Sequence, residues 1–340
     1  MAQSSEATVL PLGATLHTGD LRMEDLLRYA REAETLGYDG LWLLEESGKE
    51  AFATLGALCG ATGRIRLGTS IVSFYSRTPT LLAMAARTLD DLSGGRFALG
   101  LGAGGAGFME RGHGVRVERP LRRAQEAVEI VRGLLTNKRF SYEGECFRIQ
   151  GFRLREGPAA HHVPIYLAAL NPKMMTLAAR VADGFIASWP SEEAVAEWRE
   201  IVRREAAAAG RDPRQVRILT LLLTCADPAD ESALEALRRG LAFYCAAPTY
   251  HHIAEISGVG PQVRKVCEAW RQRDFDGAAR LVTDPIMEKF SLCGSPAACR
   301  CKLQSLLDAG IYPIIYPLPR PDRVVEDHLA TLRLVAGYLQ

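Results

Sequence analysis

Short apolar strands and amphipathic helices alternate eight times along the 340 residues, and two stretches interrupt the rhythm. This pattern predicts an α/β fold, a (β/α)8 TIM barrel carrying a hairpin insertion near residues 137–156 and a helical insertion near 229–290. Strands this short and this apolar belong to a parallel sheet covered by helices, and closure into a barrel is the simplest arrangement of eight such units. Residues 1–340 are accordingly expected to form one domain.

Val9 to Leu16 reads as the first strand, and Met23 to Leu36 as its helix. Leu26, Leu27, Tyr29, Ala30, Ala33 and Leu36 fall at helical spacing, and Gly37 stops the run. Strand Gly40 to Leu44 with helix Ala51 to Ala61, and strand Ile65 to Val72 with helix Pro79 to Leu92, give the next two units. Strand Arg96 to Leu101 follows, then a glycine loop and helix Leu121 to Leu135. Phe140 to Ile149 alternates around a central Glu-Gly, which predicts the inserted β-hairpin.

The rhythm then returns with strand Pro164 to Ala168 and helix Pro172 to Val181, which has proline at its first position. Strand Gly184 to Ser188, helix Glu192 to Ala209 and the long apolar strand Val216 to Cys225 come next. After the helical segments of 229–290, helix Pro296 to Ala309, strand Ile311 to Tyr316 and helix Val324 to Leu339 complete the count. In such a barrel the active site gathers at the C-terminal strand ends. The segments concerned are His17–Asp20, Glu45–Lys49, Ser70–Thr78, Gly102–Gly114, Ala168–Lys173, Ser188–Pro190, Cys225–Pro228 and Tyr316–Pro319.

A hydrophobic content of 48%, 24% charged residues and a net charge of +1 argue against a nucleic-acid or anionic-membrane partner and for a small-molecule one. Met1 to Thr8 has neither a basic segment nor an apolar core of a signal peptide, and no later stretch is long enough to span a membrane, so a cytoplasmic protein is expected. The eight cysteines lack paired C-x-x-C clusters. Cys299 and Cys301 lie two apart in a helical pattern and point away from each other, so no metal site is expected. His161-His162 and His251-His252 lie away from the strand ends and read as structural.

Gly102, Gly104 and Gly107 match G-x-G-x-x-G. A dinucleotide fingerprint, however, needs its third glycine to open a helix after the first strand of a βαβ unit, with an acidic residue on the next strand. Here the strand is the fourth, and Gly107 is followed by a polar stretch with two further glycines. Five glycines within residues 100–107 also exceed what a compact turn requires. A planar ring or a phosphate lying against this backbone accounts for them.

Ala30 to Trp42 (A-x-x-A-E-x-x-G-Y-D-x-L-W), Arg66-Leu-Gly-Thr-Ser-Ile, Arg77-Thr-Pro, Thr88-Leu-Asp-Asp-Leu-Ser-Gly-Gly-Arg-Phe-x-Leu-Gly-Leu-Gly and Ala182-Asp-Gly-Phe resemble the bacterial luciferase-like monooxygenase superfamily over nearly the whole chain. Its members are (β/α)8 barrels binding FMN or the deazaflavin coenzyme F420, and commonly dimers. Leu67-Gly-Thr-Ser-Ile and Tyr166-Leu-Ala-Ala-Leu-Asn-Pro-Lys-Met resemble the F420-dependent branch more closely. The resemblance implies a non-proline cis peptide at Ser70-Ile71 behind the central deazaflavin ring, with Gly102, Ala103, Gly104 and Ala169 beside the cofactor. Asn171, Pro172, Lys173 and Met174 match the helix start that receives the tail phosphate, where free N–H groups and the positive dipole end favour an anion.

Three positions depart from the pattern. Glu45-Glu46 stands where many relatives carry an acid followed by histidine, Gly105 where the sugar-phosphate dehydrogenases carry an acid, and Thr15 where the methylene-tetrahydromethanopterin reductases carry one. Both substrate classes lose support. Two adjacent carboxyls can supply one base and one acid, although strand alternation turns only one of Glu45 and Glu46 toward the pocket. His17 and His113 are the other proton-transfer candidates. Phe74, Tyr75, Phe108 and Trp189 are placed to wall an apolar pocket, while Trp42, inside a strand, reads as core.

The expected function is an oxidoreductase passing a hydride between coenzyme F420 and a small organic substrate, the cofactor carrying the hydride and the protein the orientation and the proton. FMN with O2 is the alternative within the class, and a non-catalytic flavin-binding barrel subunit the alternative outside it.

Overall fold

The computed structural model describes residues 9–19 and 21–339; the candidate loop residue Asp20 and the N-terminal stretch 1–8 lie outside the described residues. Among those described, eight parallel strands close a barrel: β1 Leu10–Leu16, β2 Tyr38–Leu43, β3 Arg66–Thr69, β4 Phe97–Gly102, β5 Ile165–Ala168, β6 Gly184–Ser188, β7 Arg217–Cys225 and β8 Ile311–Leu318. Each strand hydrogen-bonds to the next in sequence. β8 returns to β1 with Ile314 opposite Gly13, and so closes the sheet.

Helices α1 Met23–Thr35, α2 Ala51–Ala61, α3 Pro79–Ser93, α4 Pro120–Thr136, α5 Pro172–Val181, α6 Glu192–Ala208, α7 Pro296–Asp308 and α8 Val324–Leu339 surround it. Several begin on one recipe, a side-chain cap followed by proline at the first turn. Thr78 caps the Leu81 amide before Pro79, Asn171 caps Met174 before Pro172, and Ser295 caps Ala298 before Pro296. α3 ends at Gly94 with φ +64°, a left-handed cap that glycine adopts without steric cost. Within α2, a Cβ on Gly56 would reach only van der Waals contact with Leu92. Gly56→Ala is therefore expected to stabilise the protein by about 0.5–1 kcal/mol, read as a raised urea midpoint.

The main core lies between sheet and helices, and a second cluster of Trp42, Ala98, Tyr166, Ile186, Leu219, Tyr312 and Ile314 fills the barrel interior. Trp42 is core, and glycines make its room. A Cβ at Gly13 would lie 2.6 Å from the indole Nε1, and one at Gly68 would lie 2.6 Å from Cε3 and Cζ3. A small void below this indole, bounded by Asp39, Arg66, Arg217 and Tyr312, opens at the N-terminal strand ends. Barrels of this kind do not place chemistry on that face.

The predicted hairpin is formed by Phe140–Glu143 and Arg148–Phe152. Buried Glu126 accepts the amides of Glu145, Cys146 and Phe147 and so pins its turn. The helical insertion spans Glu231–Cys245, His251–Ile256, Gly260–Arg271, Phe275–Arg280 and Asp284–Phe290, then rejoins the sheet through Ser291–Leu292, which pairs with β7.

Two local expectations need correction. Strand Ile65 to Val72 is interrupted at Ser70-Ile71, resuming at Val72–Ser73 against Leu101 and Gly102. The stretch after Gly104 is not all loop, because Ala106–Gly112 is a short helix with Gly107 in its first turn. Gly107 therefore does meet the helix condition of the fingerprint. The site still fails as a dinucleotide turn because it follows the fourth strand of a closed barrel.

Candidate active site

The loops after β1 and β2 are tied together before any side chain meets a ligand. Lys49 Nζ donates to the Thr18 carbonyl at 3.1 Å and to that of Leu21, and Thr18 Oγ1 donates to the Lys49 carbonyl at 3.3 Å. Gly48 permits the approach, since a Cβ there would lie 2.6 Å from the Gly19 nitrogen. This splice brings His17 Nδ1 to 3.6 Å from a Glu46 carboxylate oxygen. The imidazole beside it holds the Glu46 carboxyl below the usual carboxylate range. His17 Nε2 is buried with no hydrogen-bond partner among the described residues, and the ring stacks on Tyr316 at 4.5 Å.

Glu45 takes a different course. Both its oxygens bind Arg77, at 2.5 and 2.6 Å, and one also accepts the Ala51 amide at 3.3 Å. The expected pairing of Glu45 with Glu46 as base and acid is thus replaced by an Arg77 clamp that joins the loops after β2 and β3. With side chains 13% and 14% exposed, this is a largely buried, bidentate ion pair. Arg77→Ala strands the carboxylate and is expected to cost roughly 3–5 kcal/mol of unfolding free energy in denaturant titration.

His113 is exposed at the end of the short helix, edge-on to Phe108 at 5.2 Å. That helix carries it onto the surface, away from the His17–Glu46 pair. His161 and His162 bind Asp90 and Asp183, each at 3.1 Å, while His252 binds Glu197 and His251 faces the Cys245 carbonyl.

At the C-terminal ends of β3, β4 and β5 the segments tied to the cofactor by resemblance converge. The Ser70-Ile71 peptide is cis. Ile71 lies over Gly102, where a Cβ would come 2.7 Å from its Cδ1 and 3.1 Å from Ala168 Cβ. Ser70 Oγ is buried without a partner among the described residues. Ser73 Oγ donates to the Ala103 carbonyl at 3.1 Å, Gly104 turns at φ +73°, and the Ala169 amide donates to the Ile186 carbonyl at 2.9 Å. Three residues past β5, Asn171 caps α5 by accepting the Met174 amide at 3.1 Å, which leaves Pro172 and an exposed Lys173 at the first turn.

Across the mouth, Ser188, Trp189, Leu221, Leu223, Tyr244, Tyr250 and Tyr316 line a small, half-open void. No charged side chain is among them. Trp189 is fully buried and stacks on Phe290 at 4.3 Å, and Tyr250 leans on its other side at 4.6 Å. Tyr244 donates to the Tyr316 oxygen at 2.9 Å. Burial pushes both phenols upward, and that of Tyr250 to about 12, so all three stay protonated donors at neutral pH. Of the aromatic residues expected in the wall, Trp189 lines this void. Phe74 and Tyr75 are buried, with Tyr75 bonded to the Glu118 carbonyl and stacked under Arg123, and Phe108 is 40% exposed. Tyr244 and Tyr250 escape sequence reading because they come from the insertion, and of the three tyrosines only Tyr316, near the end of the eighth strand, carried a positional signal.

The family model for the luciferase-like monooxygenases matches residues 7–312. The chain belongs to the luciferase-like monooxygenase family. It is therefore an enzyme of the oxidoreductase class. It is similar to the 5,10-methylenetetrahydromethanopterin reductase of Methanolobus tindarius, with 31% identity over 86% of this chain and 90% of that protein. Among solved structures, the coenzyme F420 dependent tetrahydromethanopterin reductase from Methanopyrus kandleri superposes with a TM-score of 0.82, at 21% identity over 98% of this chain and all of that one. An F420-dependent secondary alcohol dehydrogenase, solved with an F420-acetone adduct, gives 0.73 at 22% identity over 95% of this chain and 98% of that one. Thr15, which stands at the position where the reductases are expected to carry an acid, is fully buried in this luciferase-like barrel. Its Oγ1 has no hydrogen-bond partner among the described residues.

Proposed function

We propose that this enzyme uses coenzyme F420 to move a hydride to or from a small, uncharged organic molecule held in the C-terminal mouth. The observation that carries this is the buried, unpartnered Nε2 of His17, whose ring stacks on the Tyr316 wall of the void. The printed functions of the relatives support the choice of coenzyme.

The residues present fit a flat, phosphate-tailed cofactor. Ser70 offers a buried, uncommitted hydroxyl, and Ile71 with Gly102, Ala103, Gly104 and Ala169 offers an apolar ledge built from close backbone. Asn171, Pro172, Lys173 and Met174 would receive the tail phosphate, with Lys173 adding charge at a helix start. When bound, F420 supplies the hydride from its ring. Glu46 orients the His17 imidazole through Nδ1, so that Nε2 holds or accepts the proton that balances the hydride. The Tyr244 hydroxyl, spent on Tyr316, leaves the Tyr316 proton to point elsewhere, so this phenol can hydrogen-bond a substrate oxygen. Leu221, Leu223 and Trp189 exclude water and favour an uncharged substrate over a phosphorylated one.

Titration of the purified protein with F420 and separately with FMN tests the reading. Tight, stoichiometric F420 binding with slow reaction of the reduced complex with O2 is expected. Preferential FMN binding with rapid O2 consumption would overturn it in favour of a monooxygenase, the reading that the family description favours.

A further inference from the structure

We infer that Cys225 and Cys293 form a site of reversible oxidation that staples the stem of the helical insertion, with Cys293 as the attacking thiolate and Cys225 as its resolving partner. The pair follows from strand register. Leu223 lies opposite Ser291 and Thr224 opposite Leu292, so Cys225, which ends β7, is the next residue to face Cys293. Neighbouring strands run about 4.8 Å apart, within the roughly 4.4–6.8 Å between Cα atoms that a disulfide spans. Both thiols are free, and each acts on the other's acidity, raising Cys225 and lowering Cys293.

The two cysteines are not equivalent. Cys225 is 1% exposed, whereas Cys293 is half-buried and within reach of a small solute. Cys293 lies two residues before Ser295, the cap of α7, and takes the Gly294 amide and the Arg238 guanidinium as further positive neighbours. The neighbouring Cys225 thiol, ahead of these, lowers the Cys293 thiol below its ordinary range, and burial and Asp284 oppose the shift without reversing it. Partial exposure in a positive setting is what makes a cysteine nucleophilic. The neighbouring Cys293 thiol, with burial, raises Cys225, which suits it to wait as a thiol.

The chemistry closes with hydrogen peroxide as oxidant. The Cys293 thiolate attacks one peroxide oxygen, the O–O bond breaks, and hydroxide leaves to become water, giving a sulfenic acid. The Cys225 sulfur then attacks the Cys293 sulfur, the S–O bond breaks and a second water leaves. Two thiols have lost two electrons and two protons, and one peroxide has become two waters. The disulfide joins the two ends of the insertion that delivers Tyr244 and Tyr250 to the mouth. A dithiol reductant reverses it.

The test uses the full-length protein, exposed to stoichiometric hydrogen peroxide, alkylated and mapped by peptide mass. A Cys225–Cys293 linked peptide is expected, cleaved by dithiothreitol, forming on the order of tenfold faster than oxidation of the exposed Cys301. In Cys225→Ser, Cys293 is expected to stop at a sulfenic acid that dimedone labels; in Cys293→Ser, Cys225 is expected to stay reduced. Linkage of Cys293 to Cys299 instead, or Cys301 reacting first while the pair stays reduced, would overturn the assignment. The wild-type map decides this even if a variant folds poorly.

Discussion

His17→Ala is expected to lower F420-linked turnover by about 10²–10⁴-fold while leaving coenzyme affinity within a few-fold of wild type, because it removes the proposed proton-handling group and none of the proposed ledge. Glu46→Gln keeps the imidazole and loses only its orienting carboxylate, so a smaller loss is expected. A second readout is independent of activity. His17 holds the Glu46 carboxyl below its ordinary value of 4.5, so carboxyl NMR of His17→Ala should show that value rising. The sign for stability follows from a depressed carboxylate. The Glu46 contribution is fully present above about 4.5 and is lost as pH falls through the lower folded value, and His17→Ala should erase that acid-side dependence. Turnover unchanged by His17→Ala would remove the imidazole from the reaction.

Gly100→Ala is expected to be a strongly damaging single-methyl change in the barrel wall. The added Cβ would lie 2.0 Å from the Thr69 carbonyl oxygen, a backbone atom that cannot swing aside. Thr69 Oγ1 is also locked to the same glycine, accepting its amide at 2.8 Å and donating to its carbonyl at 2.7 Å. Relief requires β3 and β4 to separate directly below Ser70-Ile71. A loss of at least about 4 kcal/mol is expected in denaturant unfolding, with weakened F420 retention in whatever remains folded. Wild-type stability in Gly100→Ala would mean that the strands are looser than these contacts imply.

The two variants probe parts of the site that differ in how readable they are. The proposed ledge is made of consecutive backbone in the loops after β3, β4 and β5, where glycine spacing together with the family resemblance singled out Ser70, Ile71 and Gly102 through Gly104, and the structure brings these segments together. The His17–Glu46 side was only half visible. Alternation along β2 said that one of two glutamates turns inward, but the choice rests on Arg77, 32 residues away, which claims Glu45 and leaves Glu46 to His17. The stretch before His113 was read as loop because Ala106–Gly112, although a helix, is rich in glycine and charge. Tyr244 and Tyr250 had no local mark at all.

By itself the sequence determined what short-range physics controls: the eight βα repeats, the capped helix starts, the hairpin turn and the glycines that let backbone pass close to backbone. Those features depend on hydrogen bonds and periodicities that span a few residues. Only the tertiary structure decided which glutamate meets His17, which aromatic side chains wall the mouth and that Cys225 faces Cys293. Such contacts join residues tens to hundreds of positions apart, and barrel closure selects each partner from many chemically equivalent side chains.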